Sequence, residues 1–171
     1  MKHNPAPINN SRFRQGVFSP KNPQKCINLL RPNDFSQPIY RSSWEKKFMI
    51  YCDLSENILF WGCEVIMIPY ESRVKQIDGK AKTSARYYVD FYCETRTTSG
   101  KIVKQVIEVK PQKEIDEPQL PKRRTPKGMD TYKNALRTYA TNQDKWNTAE
   151  TWCKQNGMVF IKLSERDILK Q

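Results

Sequence analysis

The strongest constraint on the fold lies between residues 86 and 110, where two apolar runs flank Thr97-Thr98-Ser99-Gly100. Arg86 to Glu94 alternates, with Tyr87, Val89, Phe91 and Cys93 on one face and Tyr88, Asp90, Tyr92 and Glu94 on the other; Lys101 to Lys110 also has β composition. Both segments are predicted as strands. With Thr98, Ser99 and Gly100 as a three-residue hairpin loop and Gly in the left-handed position, Thr97 faces Lys101 and pairing continues outward. That register sets Asp90 opposite Glu108. The two-residue repeat of a strand then turns Lys110 to the same face as Glu108.

Two carboxylates directly across a ladder stand about 5 Å apart at Cβ and repel each other. A divalent cation between them reverses the balance. Mg²⁺ takes oxygen ligands and is commonly held by one or two carboxylates, several waters and substrate phosphate oxygens. Such an ion can activate a water, while a neighbouring lysine orients the nucleophile or neutralises developing charge. The set Asp90, Glu108 and Lys110 therefore has the composition of a metal-dependent nuclease site, with Asp90 and Glu108 as metal ligands. The competing reading places Asp90 near a sheet edge and pairs Glu108 with Lys110 on a solvated face, since short charged patterns are common.

Composition narrows the chemistry. A chain of 171 residues is expected to form one core domain, and its 30 Lys and Arg against 18 acidic residues, net +12, call for a polyanionic partner, with nucleic acid first. The single histidine, His3, falls in the N-terminal arm, which argues against histidine-based hydrolases and Cys-His nucleophiles. Cys26, Cys52, Cys63, Cys93 and Cys153 contain no CxxC and are read as reduced core thiols. No long apolar run and no signal-peptide pattern is present, so no membrane partner is expected.

Six of the eleven prolines fall in residues 1–38, which are read as an irregular, basic arm preceding a domain over 39–171. Ser42-Ser43-Trp44-Glu45 opens a helix to about Leu54, followed by short strands over Ile58 to Trp61 and Glu64 to Tyr70. Glu45 has two readings: the third helical position of a capping box on Ser42, or a carboxylate on the first helical turn within reach of the site. After Pro111, the run Pro121 to Gly128 carries Lys122, Arg123, Arg124 and Lys127 and reads as a loop suited to DNA phosphates, or as a solvated loop. A long helix is predicted from about Asp130 to Asn156, capped by Gly157, with an inward stripe of Tyr132, Leu136, Tyr139, Gln143, Trp146, Ala149 and Cys153. Gln143 is the polar exception on that stripe, either orienting a water or phosphate or marking the margin of the apolar face; Lys145 is a weaker candidate. A final strand is expected over Met158 to Leu163, then a short capped helix.

The order helix with early Glu, strand with Asp, strand with Glu-x-Lys, helix and strand resembles the PD-(D/E)xK nucleases. These have the restriction-endonuclease-like α/β fold, a mixed central sheet flanked by helices. More closely, Tyr40 to Met49 with Tyr51-Cys52-Asp53, Ile68-Pro69-Tyr70, Tyr88 to Tyr92, Ile107 to Pro111 and Asn142-Gln143-x-Lys145-Trp146 resemble the head-completion nucleases of large contractile-tailed phages.

The resemblance implies a Mg²⁺-dependent DNA endonuclease, with Mn²⁺ as a substitute ion. Asp90 and Glu108 would hold the metal and Lys110 would assist the attacking water. Glu45 would join the site as in transposon-end endonucleases, with Gln143 in support. It further implies action after DNA packaging and before tail attachment, in the infected host's cytoplasm and the virion neck, with portal, neck or other head-completion proteins as partners. Val89 stands where the superfamily's proline would be. A structural neck protein that keeps the nuclease fold for holding DNA and neighbouring subunits is the alternative. A transposon-type or junction-resolving nuclease would share the site but lack the match over residues 40–53.

Overall fold

A computed structural model describes residues 15–169. In chain order, Gly16–Val17 (β1) pairs with Ile39–Tyr40 (β2), and between them lie a 3-10 turn at Pro23–Lys25 and a short helix, α1 (Ile27–Leu30). Then follow α2 (Ser43–Leu54), β3 (Ile58–Cys63), β4 (Met67–Glu71), α3 (Arg73–Ile77), β5 (Ser84–Tyr88) and β6 (Phe91–Arg96). The chain continues through β7 (Ile102–Val109), α4 (Gln112–Ile115), α5 (Pro126–Gln155), β8 (Val159–Leu163) and α6 (Glu165–Ile168).

The central sheet has the order β3-β6-β7-β8, antiparallel except for the parallel pair β7-β8, and β4-β5 form a separate two-stranded sheet. This is the mixed sheet expected from the sequence. Successive residues divide between two cores: Phe91, Cys93, Ile107 and Val109 pack with Phe48, Met49 and Cys52 of α2, whereas Tyr92 and Val106 pack with Ala149 and Cys153 of α5 and with Ile68 and Tyr87 of the small sheet. A sheet covered on both faces explains why its strands read as almost unbroken apolar runs. All five cysteines are free and buried, as expected.

The hairpin register agrees with the expectation. Phe91 pairs with Ile107 and Arg96 with Ile102; Thr97 donates to the Lys101 carbonyl at 2.8 Å, and Gly100 has φ +82. The single strand expected over residues 86–94 is instead two, broken at Val89–Asp90. Val89 donates its N–H to the Ile66 carbonyl (3.1 Å), and the Asp90 carbonyl accepts from Glu64 N–H (3.3 Å), so the β3–β4 connection satisfies the break's backbone. Glu64 adopts φ 52 to do this, a left-handed conformation unusual for a residue with a Cβ.

Of the arm expected over 1–38, residues 1–14, His3 among them, lie outside the described part; residues 15–38 contribute short elements packed on the domain. Cys26 is fully buried and bridges to Trp61, and Asn28 accepts from Cys63 N–H and donates to the Cys63 and Ser36 carbonyls. Asp53, buried near the end of α2, accepts from the backbone N–H groups of Lys21 (2.7 Å) and Asn22 (3.0 Å). Asp53→Ala leaves both donors without their acceptor and is expected to cost about 1–3 kcal/mol, read as a lower urea midpoint with an unchanged m-value. An unchanged midpoint would remove Asp53 as the anchor of this segment.

The long helix begins at Pro126, earlier than expected, with Thr125 as N-cap accepting from Gly128 N–H at 3.1 Å. Proline at the first helical position and threonine before it fit the start of a helix. The residues of α5 that are fully buried are Asn142, Asp144, Trp146, Ala149 and Cys153, all in its C-terminal half. Among the described residues, no helix is long and apolar enough to cross a membrane.

Candidate active site

The hairpin and the break together assemble the acidic cluster. β6 starts at Phe91, so Asp90 stands just before the ladder, one step beyond the Phe91–Ile107 pair and level with Glu108. Asp90 Oδ2 accepts from Val109 N–H at 2.9 Å and lies 3.5 Å from Lys110 Nζ, while Lys110 Nζ lies 3.1 Å from Glu108 Oε1. The sequence-predicted triad therefore meets at the carboxyl end of β7.

Glu45 is both a cap and a neighbour of this cluster. Its backbone N–H donates to Ser42 Oγ (3.1 Å), its Oε1 accepts from the Ser42 hydroxyl (3.0 Å), and its Oε2 accepts from Arg41 N–H (2.8 Å). Burial first, and the Asp90 charge second, push its carboxyl up to about 7. Glu108, only 2% exposed, is likewise pushed up to about 7 by burial and then by Asp90, against the opposing effects of Lys110 and Tyr87. Burial opposes the charge on Lys110, but Asp90 and Glu108 more than offset it and hold the ammonium well above its usual range. Lys110 is thus held as an ammonium between the two carboxylates.

Sequence reasoning missed Tyr87. Its hydroxyl donates to Glu108 Oε2 at 2.5 Å, and Lys145 Nζ stands 5.6 Å over its ring. The break at Val89–Asp90 changes the strand's phase, so Tyr87 packs on the same side as Tyr92 and Val106 instead of with Phe91. Only the aromatic β composition of residues 87–92 hinted at it. Gln143 is half-buried and makes no hydrogen bond or ion pair to the triad among the described residues. The buried amide on this stretch is Asn142, whose Nδ2 has no protein partner.

Lys145 over Tyr87 and Trp146 beneath Lys162, the ladder partner of Glu108, set that part of α5 level with the acidic cluster. A 30-residue helix is about 45 Å long and the five residues of β8 span about 17 Å, so the N-terminal half of α5 projects beyond the sheet on the site's side. Lys122, Arg123, Arg124 and Lys127 are exposed at that projecting end and make no ion pair among the described residues. Lys127 belongs to the first turn of α5 and not to a loop.

The donor set suits a hard divalent cation. Its oxygens are carboxylate, and among the described residues no group of three or more His, Cys, Asp or Glu side chains converges on a point. Asp90 and Glu108 could supply two carboxylate ligands to a divalent cation whose remaining positions are filled by water and phosphate.

Residues 55–165 match the family described as TnsA-like endonuclease N terminal. The chain is also 32% identical over 150 residues to the head completion nuclease of Enterobacteria phage T4, covering 88% of this chain and 90% of that protein. With its restriction-endonuclease-like sheet and these two matches, the chain belongs to the TnsA-like endonuclease family and is a relative of the head completion nuclease of phage T4.

Proposed function

We propose that this protein is a Mg²⁺-dependent DNA endonuclease, able to use Mn²⁺, that acts in phage head completion after DNA packaging and before tail attachment. The observation that carries this reading is the meeting of Asp90, Glu108 and Lys110 at one end of the sheet in a chain of a nuclease family. Asp90 and Glu108 would hold the cation, which would supply Lewis-acid stabilisation of phosphoryl charge. Lys110 Nζ, tethered by both carboxylates, orients the attacking water and offsets charge developing on phosphate. Glu45 holds the first turn of α2 beside Asp90 and adds negative potential to the site. Gln143 keeps only a supporting role, through water or phosphate.

Lys122, Arg123, Arg124 and Lys127 form the DNA-contacting end, and the net charge of +12 gives its steering field. Working in the infected host's cytoplasm and at the virion neck, the protein would meet portal, neck or other head-completion proteins. A structural neck role on the same fold, holding DNA and neighbouring subunits, is the second reading.

The test is plasmid cleavage with and without Mg²⁺ by the native chain and by Glu108→Ala, with duplex binding of both measured across a salt series. Metal-dependent cutting lost in the variant, with binding and salt slope retained, is expected. No cutting by the native chain, with salt-sensitive binding intact, would move the assignment to the structural role.

A further inference from the structure

The two oxygens of Glu108 are held by unlike partners. Oε1 faces Lys110 Nζ at 3.1 Å, an ammonium on a flexible side chain that is 25% exposed. Oε2 accepts from the Tyr87 hydroxyl at 2.5 Å, and that phenol is 3% exposed, set in β5 among Ile68, Val89 and Val106, with Lys145 over its ring. An ammonium on a long stem can draw back from Oε1 while Asp90 Oδ2, 3.5 Å away, still holds it, whereas a buried ring fixed by its sheet cannot move.

We propose that Tyr87 is a positioning and metal-selecting residue: it clamps Glu108 Oε2 so that only Oε1 is offered to a divalent cation. This rests on the acidic site being a metal site, as proposed above. The consequence is selectivity. Ca²⁺ accepts carboxylates in bidentate fashion with flexible geometry, whereas Mg²⁺ and similar small ions require octahedral geometry with single oxygens. A carboxylate with one oxygen already engaged favours the smaller ion. Groups that orient a ligand in this way typically change metal affinity 10–100-fold when removed.

The test compares Mn²⁺ and Ca²⁺ affinities by titration calorimetry at one pH for the full chain, Tyr87→Phe, Asp90→Ala and Ile68→Val. Tyr87→Phe keeps the ring and removes only the donor. It is expected to weaken Mn²⁺ binding about 10–100-fold and Ca²⁺ binding less, lowering the Mn²⁺/Ca²⁺ ratio about tenfold, while Ile68→Val, a packing change in the same core, leaves the ratio unchanged. An unchanged Mn²⁺ affinity, or equal losses for both ions, overturns the inference. Mn²⁺ binding that is absent, or unaffected by Asp90→Ala, instead overturns the metal-site reading itself. Should Tyr87→Phe not fold, infrared difference spectra of the unmodified chain decide the matter, with Glu108→Ala assigning the band: a monodentate carboxylate signature with Mn²⁺ supports the clamp, and a bidentate one ends it.

Discussion

Lys110→Ala is expected to reduce DNA cleavage by about 10²- to 10³-fold while leaving DNA affinity within a few-fold of the native value. The side chain stands 3.1 Å from Glu108 and 3.5 Å from Asp90, so most of its charge is committed to the two carboxylates. Its removal takes little from the field that attracts the phosphodiester backbone. On the proposed mechanism it does remove the cation that would offset charge developing on the phosphate. In a salt series, the slope of log affinity should change by less than one unit, fewer than one phosphate contact. Cleavage rate and binding are therefore separable in this variant. A native cleavage rate in Lys110→Ala would sink the catalytic assignment, and a rate loss matched by an equal loss of binding would make Lys110 a docking cation only.

The second large effect is on stability and runs against function. Glu108 is pushed up to about 7 in the fold, well above an ordinary glutamate, so the folded state binds its proton more tightly than the unfolded chain does. For a carboxyl raised in this way, its contribution is fully present below the ordinary value of about 4.5 and is lost as pH rises through about 7. Glu108→Gln removes the titration and still offers an acceptor to Tyr87. In the absence of divalent ions it should melt like the native chain at pH 4.5, and higher at pH 8 by the equivalent of roughly 1–3 kcal/mol, a few degrees for a chain of this size. The loss of one Lys110 partner keeps the gain below the full shift. Added Mg²⁺ should narrow or reverse the difference, because binding stabilises the native chain by mass action and the amide is a poorer ligand. Melting curves at both pH values, with chelator and with Mg²⁺, check it. A native chain that remains the more stable at pH 8 with chelator would contradict the raised carboxyl.

The triad was legible because turn chemistry and the two-residue strand period fix each other: Gly100 closes the loop, and counting outward from Thr97 and Lys101 brings Asp90 level with Glu108. Tyr87 was not legible. Residues 87–92 are aromatic or β-branched on both faces apart from Asp90, so their pattern cannot reveal a phase change. The break is set by hydrogen bonds from Glu64 and to Ile66, more than twenty residues away in the chain. The same holds for residues 15–38, which proline content marks as irregular but which Asp53 and Trp61 hold in place from another element. The start of α5 was written locally, in Thr125-Pro126, but the cations beside it read more readily as a loop. On the stripe of α5, Trp146, Ala149 and Cys153 are buried as expected, Gln143 is half-buried, and the buried Asn142 beside it lies one helical turn from Trp146, a neighbour that periodicity alone does not separate from Gln143.

The uneven burial of α5 carries a consequence for its motion. Its first sixteen residues contribute no fully buried side chain, while the second half is locked by Trp146, Ala149 and Cys153. Opening free energy must therefore rise along one continuous helix, from near-fraying at Thr131 to near-global at Ala149. Amide exchange should show that gradient in the free protein. Phosphates gathered by the cations at the open end would flatten it, making this half of the helix a segment that stiffens as the backbone of a nucleic acid comes to rest along it.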